Sequence, residues 1–367
     1  MKNLTNYLWV ATMDSFLHRT IAGNFENIIS TYENEAIILY SNSAIQNAKF
    51  TLDDNFISFC VCKSGANSSS ISSIEAKINK NLKYVVTIGG GSVMDLGKHI
   101  ASSHGLFHVC IPSALTTNAY STNKVAIKND IHKHTLDSKL PDQIIFDSTL
   151  IATAGKLNLY GLVDILSIHT ALHDWELASI QKNELIDINI YERSKSLLEE
   201  AIKLEKIDVL DENDQELLMT LFKLIGESGQ ITNAYGNGRP ESGSEHILAR
   251  TIEEIGGYVH GESVAISIIL MSIIQDNLDT RVLRLLKNTG ALNKINEMSF
   301  RSVIVESLVK TKPRLDRYSV FNEIKKFDRL GSELTYNKAL EKIIQCDNDY
   351  LVLKDDCLDP VISIQSA

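Results

Sequence analysis

The chain has 367 residues, long enough for two domains that each bury a core. With 44% hydrophobic and 22% charged residues, its composition is that of a soluble globular protein. A net charge of −10 excludes nucleic acid or an anionic membrane as the main partner, since both select a basic surface. A local basic pocket for one phosphate stays compatible with that charge.

The N-terminal run MKNLTNYLWVATMDSF has no apolar segment followed by a small-residue cleavage site, so no secretion signal is expected. The longest apolar run, Val264 to Ile274, is too short to span a bilayer. Five cysteines (Cys60, Cys62, Cys110, Cys346 and Cys357) are odd in number and form no paired CxxC units, which argues against a structural zinc site. They are expected to be reduced core thiols of a cytoplasmic protein, with Cys60 and Cys62 on opposite faces of one strand.

In chain order, strands are predicted at 36–40 (AIILY), 56–62 (FISFCVC), 84–90 (YVVTIGG), 106–112 (LFHVCIP) and 143–147 (QIIFD). Helical stretches such as SSIEAKINKNL and SVMDLGKHIASSH lie between them, the alternation of a parallel sheet covered by helices. From about Gly155 the pattern turns helical, with segments 157–181, 190–207, 211–234, 243–256 and 260–277, and a modest tail over the last dozen residues. The expected fold is therefore an α/β N-terminal domain, residues 1–150, followed by an all-α C-terminal domain, residues 151–367.

Between the third strand and the helix carrying Lys98 runs Gly89-Gly90-Gly91-Ser92-Val93-Met94-Asp95. Glycines let a backbone turn sharply and approach a pyrophosphate, and the free N–H groups at the helix start then hold the phosphates. The run is not the GxGxxG fingerprint, and a plain strand-to-helix turn explains it equally well. In the helical half, GLVDILSIHTALHDWELA (161–178), GRPESGSEHILAR (238–250) and YVHGESVAI (258–266) each offer one potential metal ligand: Asp164, His246 and His260. Two imidazoles and a carboxylate suit a divalent catalytic ion, because three ligands leave a position for substrate. A rival pair, His169 and His173, is spaced i, i+4 on a helical face pointing away from Asp164.

GGGSxxDxxK after a strand resembles the superfamily of dehydroquinate synthase, glycerol dehydrogenase and the iron-containing alcohol dehydrogenases. GxxDxLSxxTAxxDWxLA, RPxSGSEH, HGExVAI and RxxRYS (Arg314 to Ser319) together resemble the sn-glycerol-1-phosphate dehydrogenases, in order and across about residues 20 to 330. The resemblance implies NAD or NADP bound by Gly89, Gly90, Gly91, Ser92, Asp95 and Lys98. A second loop, Pro112 to Thr117, would add Ser113, Thr116 and Thr117. Ser41 and Asn42, at the end of the first strand, would meet the adenosine ribose, and their neutrality leaves the choice of cofactor open. Asp164, His246 and His260 would hold one divalent metal, zinc in the first instance and iron or nickel otherwise.

The chain departs from that pattern in two places. Asn118 stands where the dehydrogenases carry an Asp, and it accepts hydrogen bonds without acting as a carboxylate. Arg250 stands where they carry a second His. Lys124, at the spacing of an Asp-to-Lys loop, and Arg239, seven residues before His246, lean towards dehydroquinate synthase instead.

The resemblance implies a metal-dependent oxidoreductase that interconverts a small polyol phosphate and its ketone, with Asn118, Lys124, Arg239 and Arg250 facing the substrate. It also implies a homo-oligomer. One alternative is a sugar-phosphate cyclase that reduces and reoxidises bound NAD within each cycle; another is a non-catalytic nucleotide-binding protein.

Overall fold

The computed structural model describes residues 17–32, 34–52, 56–61, 68–128, 133–207, 209–324 and 327–356. The N-terminal run searched for a secretion signal, Cys62, Cys357 and the last dozen residues lie mostly or wholly outside them.

Six parallel strands form the central sheet: β1 (Thr20–Ala22), β2 (Ala36–Tyr40), β3 (Ile57–Cys60), β4 (Tyr84–Gly89), β5 (Phe107–Pro112) and, after a two-stranded hairpin of β6 (Lys124–Lys128) and β7 (Lys133–Asp137), β8 (Gln143–Phe146). The spatial order is β1-β8-β5-β4-β2-β3, so the chain reverses direction across the sheet beside β4. Successive side chains of a strand point to opposite faces, and both faces here are apolar. Ile37, Leu39 and Val85 enter one core, while Ile38, Val86, Ile88, Val109 and Ile111 enter the other. Such burial on both sides is why these segments read as continuous apolar runs.

The strands end at Phe146, and the described elements from Ser148 onward are helical. Their shared core runs from Leu162 and Leu166 through Phe222 and Leu270 to Leu308, and it also takes in Cys110, Ile144 and Phe146 from the sheet. The α/β plus all-α architecture expected from the sequence is thus present. The helix His260–Ile274 is buried on all sides over Gly261–Ser272, so its apolar run is a core helix. No described helix is long and apolar enough to cross a membrane.

Several details differ from expectation. The helix expected over SSIEAKINKNL forms earlier, at Ser68–Glu75. The long helix expected over 157–181 is broken into Gly155–Leu159, Tyr160–Leu166 and Ile168–Lys182. Cys60 is exposed rather than a core thiol, whereas Cys110 and Cys346 are buried.

Two close approaches join sheet and helices. A Cβ at Gly161 would lie 2.1 Å from the carbonyl oxygen of Leu115, and one at Gly229 would lie 2.1 Å from Ser121 Oγ. The loop after β5 therefore rests directly on helix backbone. Asn158 Oδ1 accepts from Leu115 N at 2.9 Å, and Tyr120 Oη donates to the Phe222 carbonyl at 2.7 Å. Asn233 Oδ1 takes the Asn123 N–H at 2.8 Å.

Candidate metal centre and cofactor cleft

Asp164 lies on the helix Tyr160–Leu166, His246 in the first turn of Ser244–Gly256, and His260 at the start of His260–Ile274. One ligand atom from each lies within 4.8 Å of the other two. Asp164 Oδ1 is 3.8 Å from His246 Nε2 and 3.4 Å from His260 Nε2. The opposite nitrogens are already engaged: His246 Nδ1 meets Glu245 at 2.8 Å and His260 Nδ1 meets Glu253 at 2.6 Å. Each carboxylate fixes its imidazole with Nε2 turned inward, the outer support usual for metal-binding histidines. Asp164 Oδ1 is itself buried without a hydrogen-bond donor. Burial opposes charge on His260, but Asp164 and then Glu253 outweigh it and push its pKa up to about 10. A compact anionic-and-imidazole cluster with an orphaned oxygen fits a divalent cation. The rival pair is not assembled for this: His169 Nε2 is spent on the Asn277 carbonyl at 2.8 Å.

The glycine turn borders a cavity of about 600 Å³. Ser41, Asn42, Gly90, Gly91, Ser92, Ser113 and Thr116 of the expected cofactor set line it together. The three glycines play different parts. A Cβ on Gly89 would meet Val93 at 2.7 Å, and one on Gly91 would meet Thr117 Oγ1 at 2.9 Å. A Cβ on Gly90 meets nothing within 4 Å, so it would project into open space, where the helix Gly91–His104 begins. That open cradle at a helix N-terminus fits a pyrophosphate.

Asp95 and Thr117 line an adjoining cavity with Ser92, Asn118 and Lys124. Lys98 does not reach either space. It is fully buried, donates to the Thr122 carbonyl at 3.0 Å and to the Lys124 carbonyl at 2.5 Å, and pairs with Asp95 at 3.1 Å. Its ammonium holds the loop before β6 against the helix, and burial lowers its pKa. The cofactor role expected for Lys98 is replaced by this structural one.

Asn118 borders three cavities: the one beside Asp95, a small one of about 210 Å³ containing Asp164 and His246, and a polar cleft of about 630 Å³. Lys124, Arg239 and Arg250 line that cleft, together with Arg314 and Arg317. Their guanidinium and ammonium groups are not equally available. Lys124 is ion-paired to Asp137. Arg239 is 2% exposed and is used up by Glu184 at 3.0 Å and the carbonyls of Tyr318 and Asp174. Arg317 donates to the carbonyls of Gly238 and Ser242.

Arg250 is exposed and has no ion-pair or hydrogen-bond partner among the described residues. Crowding by neighbouring protein, and then repulsion from Arg314, lower its pKa. Of the three expected substrate cations it is the one without an ion pair among the described residues. Two residues that sequence reasoning passes over stand beside it. Arg314, already bonded to Asp316, shares the cleft. Glu241 borders both the cleft and the metal-side cavity; burial raises its pKa against the pull of Ser228, Thr232 and Asn118. Glu241 occupies the variable position of the run RPxSGSEH, which is why that run gives no sign of it.

The family model described as iron-containing alcohol dehydrogenase matches residues 33–155. A glycerol-1-phosphate dehydrogenase [NAD(P)+] of Pyrococcus abyssi is 24% identical over 338 residues, covering 89% of this chain and 94% of that protein. One from Picrophilus torridus is 28% identical over 294 residues, covering 77% and 80%. Among solved structures, the glycerol dehydrogenase of Schizosaccharomyces pombe superposes with a TM-score of 0.60 at 14% identity, covering 90% of this chain and 91% of that one. Residues 33–155 thus match the iron-containing alcohol dehydrogenase family, and most of the chain is similar to glycerol-1-phosphate dehydrogenases.

Proposed function

We propose that this chain is a metal-dependent, NAD(P)-linked oxidoreductase that interconverts a polyol phosphate and its ketone, as its glycerol-1-phosphate dehydrogenase relatives are named for doing. The observation that carries the reading is the set Asp164, His246 and His260, with both imidazoles braced on Nδ1. Its cavity shares Asn118, Glu241 and Ser242 with a cleft that contains Arg250, unpaired among the described residues. Residues 1–150 hold the dinucleotide at the Gly90 cradle, and residues 151–367 supply the metal ligands. The bound metal would polarise the substrate carbonyl, and the bound nicotinamide would supply or accept hydride.

The protein's own groups do the rest. Gly90 leaves room for the pyrophosphate, and Ser113 and Thr116 offer hydroxyls across the same cavity. Arg250, with Arg314 beside it, takes the substrate phosphate, for which a planar guanidinium is suited. Glu245 and Glu253 keep the imidazoles oriented with Nε2 towards Asp164. The donor set suits zinc, iron(II) or nickel(II).

The cyclase alternative rests on Lys124 and Arg239, yet both cations are engaged in internal ion pairs. The test uses metal-loaded protein with dihydroxyacetone phosphate and either NADH or NADPH. Oxidation of reduced cofactor in step with substrate, without free phosphate, is the expected result. Phosphate release without net cofactor oxidation would establish the cyclase, and neither change with any polyol or ketose phosphate would overturn the reading.

A further inference from the structure

Glu241 lies in the connection between the helices Gln215–Tyr235 and Ser244–Gly256, and its carboxylate is surrounded by donors. Ser228 and Thr232, one turn apart on the first of these helices, both give it their hydroxyl protons. Asn118 Nδ2 approaches it at 3.1 Å, and the same nitrogen lies 3.1 Å from Ser228 Oγ. A carboxylate only accepts, so the amide of Asn118 must present NH₂ to it. Both amide protons are then directed at Glu241 and Ser228. The Asn118 carbonyl oxygen, on the other side of the planar amide, is left for the cavities that Asn118 borders. Glu241 is tied to the metal helix as well, because Ser167 Oγ lies 2.6 Å from the Asp164 carbonyl and 2.7 Å from that of Glu241.

We infer that Glu241 is a positioning residue that locks the Asn118 amide with its carbonyl oxygen facing the substrate, where it accepts a hydrogen bond from a substrate hydroxyl. The inference rests on the cleft being the substrate site of the oxidoreductase proposed above. It assigns the chain a neutral acceptor at this point, held by a carboxylate whose own oxygens are taken up by Ser228, Thr232 and Asn118. A hydroxylated carbon is favoured there, and a carbonyl or carboxylate, which has no proton to give, is not.

The test is a double-mutant cycle of Glu241→Leu and Asn118→Ala, read on KM for dihydroxyacetone phosphate in metal-loaded protein, with metal content and NADH affinity checked for each variant. Each single change should raise KM about tenfold, the order of one hydrogen bond, and the double variant by about the same factor. Glu241→Gln, which keeps an acceptor for the amide, should stay within about threefold of wild type. Multiplying effects in the double variant, or no effect of either single change, would overturn the inference. If wild type turns over no polyol phosphate, the functional reading fails on its own. The amide orientation is then read directly from exchange of the Asn118 side-chain NH₂ protons by NMR. These should be protected in wild type and Glu241→Gln and unprotected in Glu241→Leu; an unprotected amide in wild type overturns it.

Discussion

His260 sits between two carboxylates, Asp164 at 3.4 Å and Glu253 at 2.6 Å, an arrangement that a lone buried histidine does not need. Replacing it by Ala should abolish stoichiometric divalent metal, measured by elemental analysis after dialysis, and turnover with it. Metal retained at wild-type affinity would refute the ligand set. Arg250 is the matching case for substrate. Its removal should lower kcat/KM for a phosphorylated substrate by about 1.5–3 kcal/mol in transition-state terms, the worth of a hydrogen bond to a charged group. Cofactor affinity, measured by calorimetry, should not move. An unchanged preference for glycerol 1-phosphate over glycerol would shift the phosphate to Arg314. The convergence of Asp164, His246 and His260 is legible in the sequence because each sits in a distinctive run of neighbours. Lys98 misleads for the same reason: its position in GGGSxxDxxK suggests a ligand, but only the path of the chain shows that Thr122 and Lys124 close over it. Arg239 and Lys124 are set apart from Arg250 by ion-pair partners that are distant in sequence and invisible to spacing.

The strand-turn-helix around Gly90 separates packing from ligand approach more cleanly than its three identical letters suggest. With φ −88° and ψ −169°, Gly90 has a backbone open to any residue, and its Cβ direction is empty. Gly90→Val should therefore fold with a Tm near wild type while losing NADH and NADPH binding by calorimetry. Unchanged binding would make the turn purely structural. The helix Ile168–Lys182 offers a pH test. Its Asp174 is buried, takes the N–H groups of Ser244 and Val320, and has its pKa raised to about 6 by burial and then by Glu245. A raised carboxyl pKa means that the folded protein holds this proton more tightly than the unfolded chain does. Its contribution is thus full below about pH 4 and gone above about pH 6. The stability advantage of wild type over Asp174→Asn, from denaturant titrations, should shrink as pH rises across that window. An advantage that grows with pH would contradict the burial assignment. At this scale the long apolar strands are legible because both faces of the sheet are covered. The hairpin β6–β7 is not, since KVAIK and KHTLD mix charged and apolar residues without a clear period. Nor is β1, which is only three residues long and pairs β8 at the sheet edge.

For the whole molecule, the proposed metal and dinucleotide sites, drawn from different halves, should be separable by heat. A ligand that binds only the folded state raises Tm, so divalent metal and NADH should each produce a shift. His260→Ala should lose the first shift and keep the second, and Gly90→Val should do the reverse. Loss of both shifts in either variant would mean that the two sites cannot form independently. The order of α/β and helical halves is readable from the change of period near Gly155. How tightly they are joined is not, because that depends on the absence of side chains at Gly161 and Gly229. Gly161 lets the helix carrying Asp164 lie on the Leu115 carbonyl, within the same loop that carries Thr116 and Asn118. Hydride transfer demands that donor and acceptor carbons meet within about 3–3.5 Å, a tolerance smaller than one methyl group. In the proposed reaction that spacing would be set by main chain against main chain, at Gly161 and Leu115, before either reactant arrives. Gly161→Ala should then yield an enzyme that still takes up its metal and its dinucleotide yet turns over slowly, two occupied sites slightly out of alignment.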